Sequence, residues 1–248
     1  FCANTIIMKT YLFVALSLVL IISSCKKDEE TTPSPDPSTL NIQLSHAVDA
    51  NVLYFDSLLY TNEAGYNYAI SRVWYYLSNV RLIKSDSSEI KILDYRFIDG
   101  SRPTLGNIDI GSVAKGSYIG LAYCIGLDSA SNQSYSLPAT TDNQNMEWPD
   151  GMGGGYHFLK FEGHFVDSGN TFGFAMHIGT NNYLVNGKLW APITLGDGVN
   201  TLNVEMNMNE WFKNPAVYDF NMDGNYSMSS MMAMEKLMMN GADVLKLK

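Results

Sequence analysis

The sequence predicts an all-β protein, an antiparallel β-sandwich with a short C-terminal helix, and three observations lead to it. The composition is 46% hydrophobic and 12% aromatic with only 17% charged residues, 20 Gly and 15 Tyr, which is too apolar for a disordered chain and too sparsely charged for long solvated helices. Short segments in which apolar and polar residues alternate recur along the chain, the period of a strand with one buried face. Clusters of Gly, Asn, Asp and Ser separate those segments, as turns between neighbouring strands require.

The first strand is expected at residues 40–46, where Leu-Asn-Ile-Gln-Leu-Ser-His alternates and sets His46 on the apolar side. Further strands are expected at residues 89–98, 117–127, 156–166, 171–178 and 200–206. Residues 68–83 fit two periods. Ile70, Val73, Leu77 and Val80 have helical spacing, whereas the Tyr, Val and Ile content favours strand, so a strand with a bulge or a strand pair is expected. Residues 227–240 are the helix, with Met231, Glu235 and Met238 on one line and Asn240-Gly241 as its stop.

Ahead of the domain, residues 1–24 read as a signal peptide of lipoprotein type. Met8 is the expected initiator, with residues 1–7 upstream of it; Lys9 gives the basic start, residues 12–22 the apolar run, and Ile22-Ser23-Ser24-Cys25 the processing site. Cys25 is the expected lipidation site. Acyl chains there contribute about 0.8 kcal/mol per buried methylene and would tether the protein to a membrane. The run Lys26-Lys27-Asp28-Glu29-Glu30 resembles the charged export signal of surface lipoproteins in Bacteroidota. An extracytoplasmic position on the outer membrane, at the cell surface, is therefore expected. Residues 25–39, with Pro33, Pro35 and Pro37, are expected to form a disordered, extended linker, leaving residues 40–248 as one domain. Of the three cysteines only Cys124 falls in that domain, so no disulfide is expected within it.

The balance of 16 Lys+Arg against 25 Asp+Glu, a net charge of −9, opposes binding to nucleic acid. Gly-x-Ser-x-Gly, phosphate-loop, His-Glu-x-x-His and Cys-x-x-Cys motifs are all missing, and an enzyme is not expected. Four histidines remain to be weighed. His164 alternates with Lys160 and Glu162 on the expected solvent side, and His157 shares a face with Leu159 and Phe161, open between core and ligand. His177 lies beside Gly173 and Ala175, while Phe172, Phe174, Met176 and Ile178 fill the other face. The small neighbours leave room for a partner side chain or an ion, and imidazole suits copper or zinc.

Two other groups of residues have metal-binding chemistry. Asp219, Asn221 and Asp223, with Gly224 sixth, match the start of a calcium loop, although Ser230 stands at the twelfth position where a bidentate Glu belongs; a polar turn is the competing reading. Met206, Met208, Met222, Met228, Met231, Met232, Met234, Met238 and Met239 crowd the C-terminal part. Thioether sulfur is a soft ligand for Cu(I), but core filling is expected for most of them.

Taken in order, LNIQLSHAV at residues 40–48, GYNYAISRVWYYLSNVRL at 65–82, the segment 148–163 with its GGYHFLKFEG, FAMHIG at 174–179 and the terminal MMNGADV at 238–244 resemble the MbnP family. These are methanobactin-associated copper-binding proteins and their copper-repressible relatives. The resemblance implies a β-sandwich holding one copper ion through histidines and a tryptophan oxidised to kynurenine. It also implies a partner, a di-haem protein of the cytochrome c peroxidase and MauG type, as the tryptophan oxidase. His46 and His177 match the family's recurring histidines, and Trp148 is the tryptophan before the GGY element, in competition with Trp74, Trp190 and Trp211. A different reading remains alongside, a glycan- or protein-binding sandwich in which Trp148 and Tyr156 form a stacking platform and the histidines are structural.

Overall fold

The computed structural model describes residues 37–248. The expected signal peptide, Cys25 and the linker up to residue 36 lie outside the described residues. In chain order the strands are β1 (Pro37–Val48), β2 (Asn51–Val52), β3 (Tyr60–Thr61), β4 (Asn67–Ile83), β5 (Glu89–Asp99), β6 (Asn107–Ala114), β7 (Gly116–Ile125), β8 (His157–Asp167), β9 (Asn170–Gly179), β10 (Val185–Leu195), β11 (Val199–Asn207) and β12 (Leu245–Leu247). Helix α1 (Thr141–Asn145) precedes β8, and α2 (Met231–Asn240) precedes β12.

These strands form a five-stranded sheet, β12-β11-β1-β2 with β6 also on β1, and a seven-stranded sheet, β10-β7-β4-β8-β9 with β3 and β5 also on β4. The pairing is antiparallel apart from β1 with β11, which run parallel from Thr39↔Val199 to Ala47↔Asn207. Long connections separate β1 from β11 in sequence, which is what a parallel neighbour requires. Strand β1 starts at Pro37 rather than at residue 40. Pro37 pairs with Ala114 on β6, and Ser38 Oγ–H donates to the Val113 carbonyl at 3.1 Å; proline is tolerated at the first strand position because its missing N–H is not needed there.

Residues 67–83 are one 17-residue strand. Its buried row Tyr68, Ile70, Val73, Tyr75, Leu77, Val80, Leu82 advances by two residues except at Ile70 to Val73 and at Leu77 to Val80. Register shifts fall at those same places, between Ile70 and Arg72 against β8 and between Ser78 and Arg81 against β7. Two bulges in a strand thus produce the spacing that resembles a helix. Facing sheets close on an aromatic core, in which Phe161 stacks on Phe212 at 5.0 Å and Phe174 on Phe220 at 5.0 Å. Helix α2 is four residues shorter at its start than the sequence suggests, because Ser230 caps it by accepting from the Ala233 N–H at 3.2 Å. Among the described residues no helix is long and apolar enough to cross a membrane.

Candidate metal centre

The site is built on the β8–β9 hairpin. Its turn residues Ser168 and Gly169 both have positive φ, 49° and 80°, the conformation that fits a two-residue hairpin to the twist of its strands. The resulting register sets His177 opposite Lys160 and Ala175 opposite Glu162. His177 therefore stands on the same face as Lys160, Glu162 and exposed His164, away from the five-stranded sheet. There its Nε2–H donates to Glu162 Oε1 at 2.9 Å, and the Arg72 guanidinium of β4 donates to Glu162 Oε2 at 2.6 Å. Desolvation alone would raise the Glu162 carboxyl. The hydrogen bonds from His177 and Arg72, helped by the Arg72 charge, nevertheless pull it down to about 2.

At the other end of β8 the register against β9 shifts between His157 and Leu159, with His157 opposite Gly179 and Leu159 opposite Ile178. Phe158 is the extra residue. Strict alternation would place His157 with Leu159 and Phe161; the inserted residue turns it to the His177 face instead. The two imidazoles stand edge to face, centroids 5.0 Å apart at 89°. His157 Nδ1–H donates to the Met146 carbonyl at 3.1 Å. Burial, with the nearby charges of Lys160 and His177, draws the His157 ring down to about 3.

Trp148 adds a third ring. The loop that carries it is closed by Trp148 N–H donating to the Gly155 carbonyl at 2.9 Å. Gly153, Gly154 and Gly155 all have positive φ, the backbone only glycine adopts cheaply, so the glycine-rich run forms the return of this loop. The indole Nε1–H donates to the Met152 carbonyl at 3.1 Å, and the ring lies 4.7 Å from that of His157. It also lies directly on Gly179, where an added Cβ would come within 2.3 Å of the indole Cε3.

Trp148, His157 and His177 thus form a row of rings, and the nitrogen assignments within it follow from chemistry. The Met146 carbonyl and the Glu162 carboxylate can only accept, so the nitrogens they meet, Nδ1 of His157 and Nε2 of His177, carry the protons. In the neutral rings the lone pairs are then on His157 Nε2 and His177 Nδ1. The edge of β9 is fixed by a further segment, in which buried Ser227 Oγ accepts from the His177 N–H at 2.6 Å and donates to the His177 carbonyl at 2.7 Å. Glu162, Arg72, Met146 and Ser227 were not singled out by the sequence. Counting residues back from the Ser168-Gly169 turn would have found Glu162, since that turn alone sets which residues share the His177 face.

His46 is not brought to this cluster. It is on β1, and its Nε2 lies 3.0 Å from the hydroxyl of fully buried Tyr75. Tyr75 pairs with Leu159, and Leu159 with Ile178, a row that faces the five-stranded sheet. His177 is on the other face, so the seven-stranded sheet separates the two imidazoles and the shared ion expected for His46 with His177 has no common space. His46 instead borders a cleft of about 610 Å³ with Asp99 and Arg102. Burial lowers it from 6.5 to about 4, against the raising charges of Asp99 and Glu205. A base held below its unfolded value stays neutral in the fold while the unfolded chain takes up a proton. Stability is then full above pH 6.5 and is lost as the pH falls toward about 4. The expected loss over that window is about 3 kcal/mol, read as a fall in Tm that is shallower in His46→Gln; equal slopes would contradict it.

The calcium-like segment is engaged with its own surroundings. Asp219 Oδ1 accepts from Tyr66 Oη at 3.0 Å and from the Asn221 and Met222 N–H groups, Asn221 Nδ2 donates to Asp167 at 3.0 Å, and both Asp223 oxygens accept from Lys236 Nζ at 2.7 Å. Lys236 is thus the cationic partner of Asp223 in this segment. Trp148 and Tyr156 are 2% and 1% exposed, so neither offers a face on which a sugar could stack. Of the other tryptophans, Trp211 is core, Trp74 lies under the Arg72 guanidinium and Trp190 is exposed. Among the described residues no group of three or more His, Cys, Asp and Glu side chains converges as a metal site.

Fold and site together define a β-sandwich protein with two adjacent imidazoles and a buried indole on one sheet's outer face. The sequence model of the MbnP family matches residues 37–232, and the chain belongs to that family. Among solved structures, that of MbnP from Methylosinus trichosporium is similar, with 15% identity over 76% of this chain and 81% of that chain and a TM-score of 0.49. No curated protein matches the chain.

Proposed function

We propose that the protein binds one copper ion, as Cu(I), through His157 Nε2 and His177 Nδ1, and serves copper acquisition or handling without turnover. The observation that carries this reading is the commitment of each ring's one N–H to an acceptor, His157 to Met146 and His177 to Glu162. That leaves two lone pairs on adjacent rings. A metal at about 2 Å from an imidazole nitrogen lies about 3 Å from the ring centre, so two rings bent around one ion have centres about 5–6 Å apart. The observed 5.0 Å fits. Because burial holds His157 near 3, protons do not compete for it at neutral pH. The carboxylate behind His177 fixes the ring's orientation, as outer partners of metal-bound histidines do.

Trp148, packed on His157, is the residue to be oxidised to kynurenine by a di-haem partner of the MauG type, giving an amine as a further soft-metal ligand. Cys25 would tether the protein to the outer membrane, at the cell surface. Copper, once bound, supplies a one-electron couple; the chain's part is to hold the ring orientations and keep water from the ion.

Glu162→Ala is expected to weaken Cu(I) binding by roughly 10–100-fold, and Glu162→Gln, which keeps an acceptor, by less. Competition against a Cu(I) chelator measures both, and equal affinities across the three proteins would contradict the role assigned to Glu162. For the tryptophan, protein co-produced with a di-haem partner should gain about 4 Da in intact mass, from loss of one carbon and gain of one oxygen. The gain should map to the peptide containing Trp148; an unmodified peptide would refute that assignment.

A further inference from the structure

Gln43 of β1 pairs with Asn203 of β11 on one side and with Asn107 of β6 on the other. Neighbouring strands stand about 4.8 Å apart, so these three exposed carboxamides form a row across the five-stranded sheet. The row is on the sheet's outer face, because Ile42 and Leu44, which flank Gln43 in β1, are buried. Asn41 and Thr201, paired two residues earlier, continue the polar face. Asparagine is a poor strand former, and none of these five side chains has a hydrogen-bond partner among the described residues. Neither strand propensity nor internal bonding accounts for the row.

The carboxamides also line a groove. Strand β6 covers β1 as far as Gln43 and β2 resumes at Ala47, so Leu44, Ser45 and His46 between them are paired with β11 alone. That gap is part of the cleft of about 610 Å³, which Leu53 and Pro103 also line. Gly106 closes the cleft against β1, where an added Cβ would come within 2.4 Å of the Leu44 carbonyl. A second hollow of about 330 Å³ is lined by Asn41, Thr201 and Asp109. Gln43 and Asn107 belong to both linings, so the two hollows meet at the row. From Asn41 to His46 they follow about 17 Å of strand.

The charged groups of the two hollows already have partners. Asp99 pairs with Arg102 at 2.8 Å, Lys248 pairs with Glu205, and Asp109 accepts from the Gly111 N–H at 2.9 Å. What remains uncommitted is neutral, namely carboxamides that donate and accept and the Thr201 hydroxyl. His46 adds a donor. The Tyr75 hydroxyl is fully buried with His46 Nε2 as its partner, so its proton goes there and the ring's own proton is on Nδ1, the nitrogen near Gly100 of the cleft. A ligand matched to this lining is elongated and uncharged, bears groups that both donate and accept, and has C–H surface for Leu53 and Pro103. A sugar chain has that character, since each hydroxyl both donates and accepts.

We infer that this groove binds a neutral, unbranched oligosaccharide, with Gln43, Asn107 and Asn203 as its hydrogen-bonding row. The site is on the other sheet from His157 and His177 and does not rest on the copper reading. Cellotetraose and maltotetraose serve as probes, read by the side-chain amide resonances of ¹⁵N-labelled protein. The expected result is that at least one of them shifts the side-chain signals of Gln43, Asn107 and Asn203, while those of Asn145, exposed on α1 outside the groove, stay in place. Replacing the three by threonine, a better strand former of shorter reach, should leave the backbone spectrum dispersed and weaken that binding by roughly tenfold or more. No shift with either sugar, shifts shared equally by Asn145, or an unchanged affinity in the threonine variant would overturn the inference.

Discussion

Copper content is expected to fall from about one equivalent per chain to background when His157 and His177 are both replaced by alanine, and to be retained in His46→Ala. The contrast follows from the two faces of the seven-stranded sheet. His157 and His177 share the outer face with their rings 5.0 Å apart, whereas His46 meets Tyr75 on the inner one. In the proposed site each of the paired rings would be a direct ligand, so replacing either should remove one. The loss should exceed the roughly 10–100-fold that an outer partner is worth. Elemental analysis of untagged protein measures it. Copper lost in His46→Ala and kept in the double variant would reverse the assignment.

The second large effect is expected at Gly179, which has no titratable or ligating atom. A methyl group there would lie 2.3 Å from Trp148 Cε3 and 2.6 Å from two further indole atoms. The indole cannot swing aside cheaply, because its Nε1–H is held by the Met152 carbonyl and its backbone by Gly155. Gly179→Ala should therefore cost at least about 3 kcal/mol, the upper end of overpacking penalties, and displace Trp148 from His157. Denaturant unfolding gives the first quantity and tryptophan fluorescence the second. A variant as stable as wild type with unchanged emission would show that the indole does not rest on this backbone.

The strands were legible because alternation is a direct consequence of one-sided burial, and β1, β5, β8 and β9 all carry it. Legibility ended where single residues were inserted. In β4 two bulges imitated a helical period, and in β8 the extra Phe158 sent His157 to the face opposite the one alternation gives it. The parallel pairing of β1 with β11 joins segments far apart in sequence and leaves no local signal. Pairing His46 with His177 failed for a related reason: each lies on the expected face of its own strand, but which sheet faces stand together is a tertiary fact. The hydrogen-bonded support from Glu162 and Arg72 was hidden because both looked like ordinary solvent-side charges. Trp148 and its glycine-rich loop were conspicuous in the sequence, yet only the fold reveals that Gly179 is glycine for the sake of the indole.

Anomalous scattering at the copper edge, from crystals of the protein loaded with Cu(I), locates the ion directly. The expected map has a single strong peak within bonding distance of His157 Nε2 and His177 Nδ1, next to residue 148. A peak at His46 instead, or none near the paired imidazoles at full copper loading, would contradict the account.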